Sequence, residues 1–351
     1  MPLPYGMLPA WYTRAAAQGA SVAFGIILGQ EHALSLLQKA LVSTRLGHAY
    51  LFYGPSGVGK KLTALQFAKA LVCQAATAEA CDRCASCHKM TTGNHPDVVV
   101  INPEGTSIRI EHIRAMQRQL SYKPYESQRT VIIIDGCESL TPPAANALLK
   151  TLEEPPASAL LLLLTSKKDA LPLTIISRCQ QIPFRPLAPP HIRAILIHQG
   201  IDEPTATLVA TLAEGRVDTW MQTEISQVLA RRQSAYTLLQ ERGHTQSMPL
   251  FLLARQWAGS REQCEEVLQW LSLFCRDLIM LKVASTIPLY NCDLQAELVS
   301  LASSVAVEPL LNLFASLEQL RHYLAMNVNA QLTFEQLVIQ LQELLEPPSV
   351  S

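Results

Sequence analysis

A chain of 351 residues with 49% apolar content can build two or three packed domains and lies outside the composition of disordered chains. Its 28 basic and 29 acidic side chains are 16% of the sequence and leave a net charge of −1. That balance excludes a grip on nucleic acid through bulk positive charge, though not a local basic face, and so low a charge content suggests surface hidden against partners.

In chain order, residues 1–24 read as a loose tail without the marks of a signal peptide. An apolar helical period opens after Gly29-Gln30-Glu31, through Ala33, Leu36, Leu37, Ala40 and Leu41. Ala49 to Tyr53 is a short apolar run entering a turn at Gly54 and predicts a buried strand. Further buried strands are predicted at Val98 to Ile101, Val131 to Ile134 and Leu160 to Thr165, with helices between them at Ile110 to Leu120 and Ala144 to Leu152. This alternation predicts an α/β domain with a parallel sheet covered on both faces. The Pro-rich stretch Pro183 to Pro190 ends it. Beyond, the pattern is all-α, including Ile192 to Ile197, Ala206 to Ala213, Val267 to Lys282 and Phe334 to Leu345. No run approaches the roughly 18 apolar residues of a membrane span, so no membrane partner is expected.

Gly54-Pro55-Ser56-Gly57-Val58-Gly59-Lys60 fits GxxxxGK between a predicted strand and a predicted helix, the context a phosphate loop requires. Its glycines let the backbone N–H groups face phosphate, while Lys60 and the helix N-terminus add positive charge. ATP or ADP is the expected occupant. The next position should carry a Ser or Thr hydroxyl for Mg²⁺; here it is Lys61, which cannot ligate a cation, and the Mg²⁺ site is doubtful. Val131-Ile132-Ile133-Ile134-Asp135 is the acidic strand end that helps hold Mg²⁺ in such proteins. A hydrolysing ATPase of this general type usually has Glu directly after that Asp, whereas this chain has Gly136, with Glu138 two residues further on. Efficient ATP hydrolysis at this site is not expected.

Cys73, Cys81, Cys84 and Cys87 are spaced C-x7-C-x2-C-x2-C, a full thiolate set for a closed, structural Zn²⁺ site. His88 is adjacent and could replace one thiol. Zinc would contribute on the order of 10 kcal/mol to ordering so small an insert. Cys137, Cys179, Cys264, Cys275 and Cys292 are scattered, and most read as ordinary buried residues. Thiols in a long chain without an export signal point to a reducing cytoplasm.

The phosphate loop, the four-cysteine insert, His95-Pro96-Asp97-Val98, the run Ala144 to Pro156 and Ser177-Arg178-Cys179 together resemble the clamp-loader subunits of bacterial DNA polymerase III, of the AAA+ superfamily. The strong part of the likeness spans Gly29 to about Pro186, with a weaker echo at Asn327 to Glu335. Length and the departures at Lys61 and Gly136 make the chain most similar to the delta-prime subunits rather than the gamma/tau motors. The resemblance implies an AAA+ domain over 25–186 with a zinc module at about 73–95, a helical lid over 187–222 and a helical collar over 223–347. It implies a relatively rigid stator in a hetero-pentamer with gamma/tau and delta, acting on a sliding clamp and, through the assembly, on primed DNA. Arg178 would be an arginine finger aimed in trans at a neighbour's ATP; without the resemblance it would read as a surface or salt-bridge arginine. Thr165-Ser166 falls at the first sensor position, and Arg216 is a candidate for the second or only a helix-end charge. Trp270 to Phe274 and Leu310 to Phe314 would serve as core and collar surface.

Two other readings stand beside this one. A motor ATPase of the same family would need Glu138 or another group as base. A zinc-dependent nucleic-acid-binding protein with a vestigial loop is disfavoured, because the insert carries only Arg83, His88 and Lys89 as cations, with no aromatic residues interleaved.

Overall fold

The computed structural model describes residues 24–43, 46–75, 79–213, 215–217, 225–240, 261–283, 289–326 and 337. They fall into two compact units, one drawn from residues 1–206 and 213–219 and the other from 207–212 and 220–351.

The first unit is built on five parallel strands: β1 (Ala49–Tyr53), β2 (Val98–Ile101), β3 (Thr130–Ile134), β4 (Ala159–Thr165) and β5 (Gln180–Pro183), in the order β2-β3-β4-β1-β5. Successive side chains on a strand point to opposite faces, and here both faces are buried. Tyr50, Phe52, Val131, Ile133, Leu160, Leu162 and Leu164 enter one core, with Phe67 of helix α2 (Lys60–Val72) and Leu37 of α1 (Glu31–Val42). Phe24 joins that core. Leu51, Ile132, Ile134, Leu161 and Leu163 enter the other, against Ile113 and Met116 of α4 (Ile110–Leu120) and Leu148 and Leu152 of α5 (Pro142–Glu153). Between α2 and β2 lies the short α3 (Ala85–Thr91). The strands expected from the sequence form; β5 is additional. Gln180 and Gln181 are exposed, so this edge strand carries no apolar run to reveal it.

After β4 come α6 (Leu173–Ile176), α7 (Pro189–His198) and α8 (Glu203–Leu212). Pro189 and Pro190 do not break α7; they occupy its first turn, where a missing N–H costs nothing.

The second unit is helical: α9 (Ile225–Gln240), α10 (Arg261–Val283), α11 (Gln295–Ser304) and α12 (Val307–Ala325), with α10 packed against the other three. Leu268, Leu271, Phe274 and Leu278 of α10 are buried, as are Leu310, Leu313 and Leu317 of α12. Leu311, half exposed, points away from this core. A buried polar network crosses it. The Arg232 guanidinium pairs with Asp293 at 2.7 Å and donates to Asn291 Oδ1, and the Asp277 carboxylate accepts from the amides of Tyr290 and Asn291. Residues 327–335 and most of Phe334 to Leu345 lie outside the described residues. Among the described residues, no single helix is long and apolar enough to cross a membrane.

Candidate functional site

The phosphate loop leaves β1 at Gly54 and ends at Gly59, which precedes α2. Gly54 has φ +150°, and a Cβ there would lie 2.2 Å from the Phe184 carbonyl oxygen, so the close passage of the loop over the end of β5 demands glycine. The first turn of α2 has no side-chain cap, leaving its amide end to a phosphate. Lys60 Nζ donates to the carbonyls of Gly54 and Pro55 at 2.7 and 2.6 Å, holding its ammonium over the loop. Pro55, Ser56, Gly57 and Val58 lie between; Val58 is buried, and its carbonyl accepts from Gln30 Nε2 at 3.3 Å. The Gly57 carbonyl accepts the Val217 amide at 3.2 Å, and the Gly215 carbonyl accepts the Leu187 amide at 2.9 Å. The backbone around Arg216 is thereby stitched to the loop.

These residues fit a nucleotide's phosphates, but not Mg²⁺. Lys61 extends to the carboxyl ends of β2 and β3, where its ammonium lies 3.0 Å from Asp135 Oδ2 and 2.9 Å from Asn102 Oδ1. Asn102 was not among the residues singled out from the sequence; its only signal there is its place directly after a strand. Gly136 follows Asp135 with φ +73° and ψ +48° and leads into a turn at Cys137–Ser139. A glutamate at 136 would therefore need a left-handed backbone, and the position offers no strand-borne base. Glu138 comes round through this turn. Its carboxylate accepts from the amide of Ser166 at 3.1 Å and from the Ser166 hydroxyl. Burial alone would raise the Glu138 pKa, but the Ser166 hydroxyl and neighbouring donors outweigh it and hold the group below the usual range. Thr165 is buried, and its hydroxyl accepts the Lys167 amide at 3.1 Å.

Arg178 lies beyond α6. Its guanidinium pairs with Glu153, the last residue of α5, at 2.8 Å and donates to the Thr174 carbonyl of α6 at 3.0 Å. Glu153 is a second contact that the sequence did not single out.

The four cysteine sulfurs lie within 4.8 Å of one another, with Cys73 and Cys84 at 4.0 Å. A tetrahedral ion with Zn–S bonds of about 2.3 Å needs sulfurs about 3.8 Å apart, so the set could hold such a metal ion. His88, exposed, is not part of it. The amides of Arg83 and Cys84 lower the Cys81 pKa to about 6, whereas burial raises those of Cys73 and Cys87. Cys84 also caps α3, its sulfur accepting the Cys87 amide at 3.4 Å. Lys69 of α2, almost fully buried, pairs with Asp82 and donates to Thr91 Oγ1 at 3.2 Å, which ties the insert to the helix of the phosphate loop. On the other side Glu126 pairs with Lys89, and its other carboxylate oxygen lies 3.3 Å from Nε2 of the buried His95.

His95-Pro96-Asp97 acquires a physical role here. The Asp97 carboxylate accepts from the amides of Tyr125, Glu126 and Ser127, at 2.6 to 2.9 Å, and from the Ser127 hydroxyl. Burial raises its pKa, and those donors overcome the rise and hold it below the ordinary value. A depressed carboxylate pKa stabilises the fold above its unfolded pKa of about 3.9, and that contribution is lost as pH falls through the lower folded value. Asp97→Ala is expected to destabilise the sheet unit by about 2–3 kcal/mol at pH 7, measured by urea unfolding, with the gap from the parent closing below about pH 4.

A phosphate loop on β1, an acidic end on adjacent-but-one β3, and the strand order β2-β3-β4-β1-β5 define a P-loop protein of the AAA+ class. The family model for "DNA polymerase III, delta subunit" matches residues 29–188, and that for its C-terminal part matches residues 226–343. The delta' subunit of DNA polymerase III from Bacillus subtilis (strain 168) is 33% identical over 321 residues, covering 90% of this chain and 96% of that protein. The chain belongs to the DNA polymerase III clamp-loader delta-prime family. The tau subunit of the same organism is 42% identical, but over only 46% of this chain and 29% of its own length. A solved gamma subunit-related protein from Thermotoga maritima covers 90% of this chain and 100% of its own at 19% identity, with a TM-score of 0.43, too distant to add to the assignment.

Proposed function

We propose that this chain is the non-hydrolysing, relatively rigid subunit of a clamp loader in DNA replication, and that it completes the ATP site of a neighbouring motor subunit with Arg178. The observation that carries this reading is the ion pair of Lys61 with Asp135: this chain's own metal position is filled by a side chain. The left-handed Gly136 at the base position supports it. Glu138, on which a motor reading depends, is engaged by Ser166. Its partners are gamma/tau and delta subunits in a hetero-pentamer in the cytoplasm. The assembly, rather than this chain alone, engages a sliding clamp and primed DNA. The four cysteines hold a structural Zn²⁺. Thr165 and Arg216 flank the phosphate loop as sensor-position residues without a hydrolytic role, and the helical unit is the collar.

The test is ATP turnover by a reconstituted loader carrying Arg178→Ala or Lys60→Ala. The proposal requires the first to be far more damaging; greater damage from Lys60→Ala would make this chain a motor.

A further inference from the structure

Asp135 is balanced by a cation of the chain's own. In a magnesium-dependent loop the residue at position 61 offers the ion a hydroxyl, and the acidic strand end helps hold the ion from the other side. Here a single side chain starts at the ligand position and ends on the strand end, with its ammonium 3.0 Å from Asp135 Oδ2 and 2.9 Å from Asn102 Oδ1. An ammonium has three N–H donors; these contacts use two, leaving one for an oxygen of an incoming phosphate. Lys60 and the uncapped start of α2 meet the remaining phosphate charge. The loop thus keeps its means of holding phosphate and replaces only the metal.

We propose that Lys61 stands in for Mg²⁺, so that this loop takes a nucleoside di- or triphosphate in its metal-free form. This goes beyond the stator reading, because it concerns binding at the chain's own loop and does not involve Arg178. A magnesium–nucleotide complex would bring a divalent ion to the place the ammonium holds. Both cations would then compete for Asp135, and Lys61 would have to swing out. Magnesium should therefore weaken binding here, the reverse of its effect on an ordinary phosphate loop. With over a third of the Lys61 side chain exposed, the lysine can yield, which keeps the penalty moderate.

The experiment titrates fluorescent ADP and ATP analogues into the full chain, in excess EDTA and in millimolar Mg²⁺, with circular dichroism confirming that each variant is folded. The parent chain is expected to bind in EDTA and to bind about tenfold more weakly with Mg²⁺, equivalent to roughly 1.4 kcal/mol. Lys61→Thr supplies a hydroxyl and releases Asp135, so its preference should invert. Lys61→Gln supplies neither charge nor a good ligand and should bind weakly in both conditions. Parent binding that requires Mg²⁺, or no binding of either nucleotide in EDTA, would overturn the proposal. Should both variants misfold, the comparison on the parent chain alone decides it. None of these outcomes depends on a neighbour's turnover, so failure here leaves the role of Arg178 standing, and failure there leaves this site standing.

Discussion

Arg178→Ala, assembled with otherwise normal partner subunits, clamp and primer–template DNA, is expected to lose ATP turnover by about 10³-fold or more, the range an arginine finger commands. Lys60→Ala in the same assembly should leave most of the activity. The guanidinium is not locked away inside the fold. It is about a third exposed, held from one side by Glu153 at 2.8 Å and by the Thr174 carbonyl at 3.0 Å. An exposed pair of this kind is worth at most about 1 kcal/mol. Exchanging Glu153 for a phosphoryl group, which accepts stronger charge-assisted hydrogen bonds from the planar fork, is therefore not opposed by a deep well. The same weak anchoring means that truncation to alanine should change stability by no more than about 1 kcal/mol, so lost turnover would report chemistry rather than unfolding. Arg178→Lys keeps the charge but loses the fork, and an intermediate rate is expected. Equal activity of Arg178→Ala and the parent would remove the finger from the mechanism.

How much of this was legible in the sequence depends on whether a feature is local. The strands β1 to β4 are buried on both faces, so they read as unbroken apolar runs; β5, at the sheet edge with Gln180 and Gln181 exposed, carries no such run. The phosphate loop was legible because GxxxxGK and its flanks are contiguous. That Lys61 cannot ligate a metal was legible from its chemistry alone. That it lands on Asp135 and Asn102 was not, because the contact depends on strand order and joins residues 41 and more positions apart. Glu153 stands in a stretch that contributed to the family resemblance, yet its pairing with Arg178 exists only once α5 and α6 are packed. Lys69 shows the same limit: within a helix it looks like a solvated residue, and only the fold buries it against Asp82. The cysteine spacing declared a four-thiol cluster that could hold a metal ion; what the cluster supports could not be read from spacing.

That support makes the second large effect calculable. Cys84→Ser, or chelation of the parent chain, is expected to release one zinc ion and unfold the insert, since closed thiolate sites contribute on the order of 10 kcal/mol to domains too small to bury a core. Among the described residues, the insert's own apolar cluster is little more than Ala80 and its cysteines. Serine is a good helix N-cap, so the substitution keeps an acceptor for the Cys87 amide at the start of α3 while removing a metal ligand. Loss of amide protection in α3 would then trace to the metal and not to a lost cap. The damage should not stop there. When the insert opens, Asp82 leaves Lys69, and breaking a buried pair from one side costs about 3–5 kcal/mol because the remaining charge is stranded. Lys69 sits near the end of the helix whose first residue is Lys60, so hydrogen exchange should quicken in α3 and in the second half of α2, while β1, β3 and β4 stay protected. Zinc retained at one per chain after Cys84→Ser would dismiss the four-cysteine site. Zinc lost with protection in α2 unchanged would show that the insert is an appendage, with no hold on the helix that carries the phosphate loop.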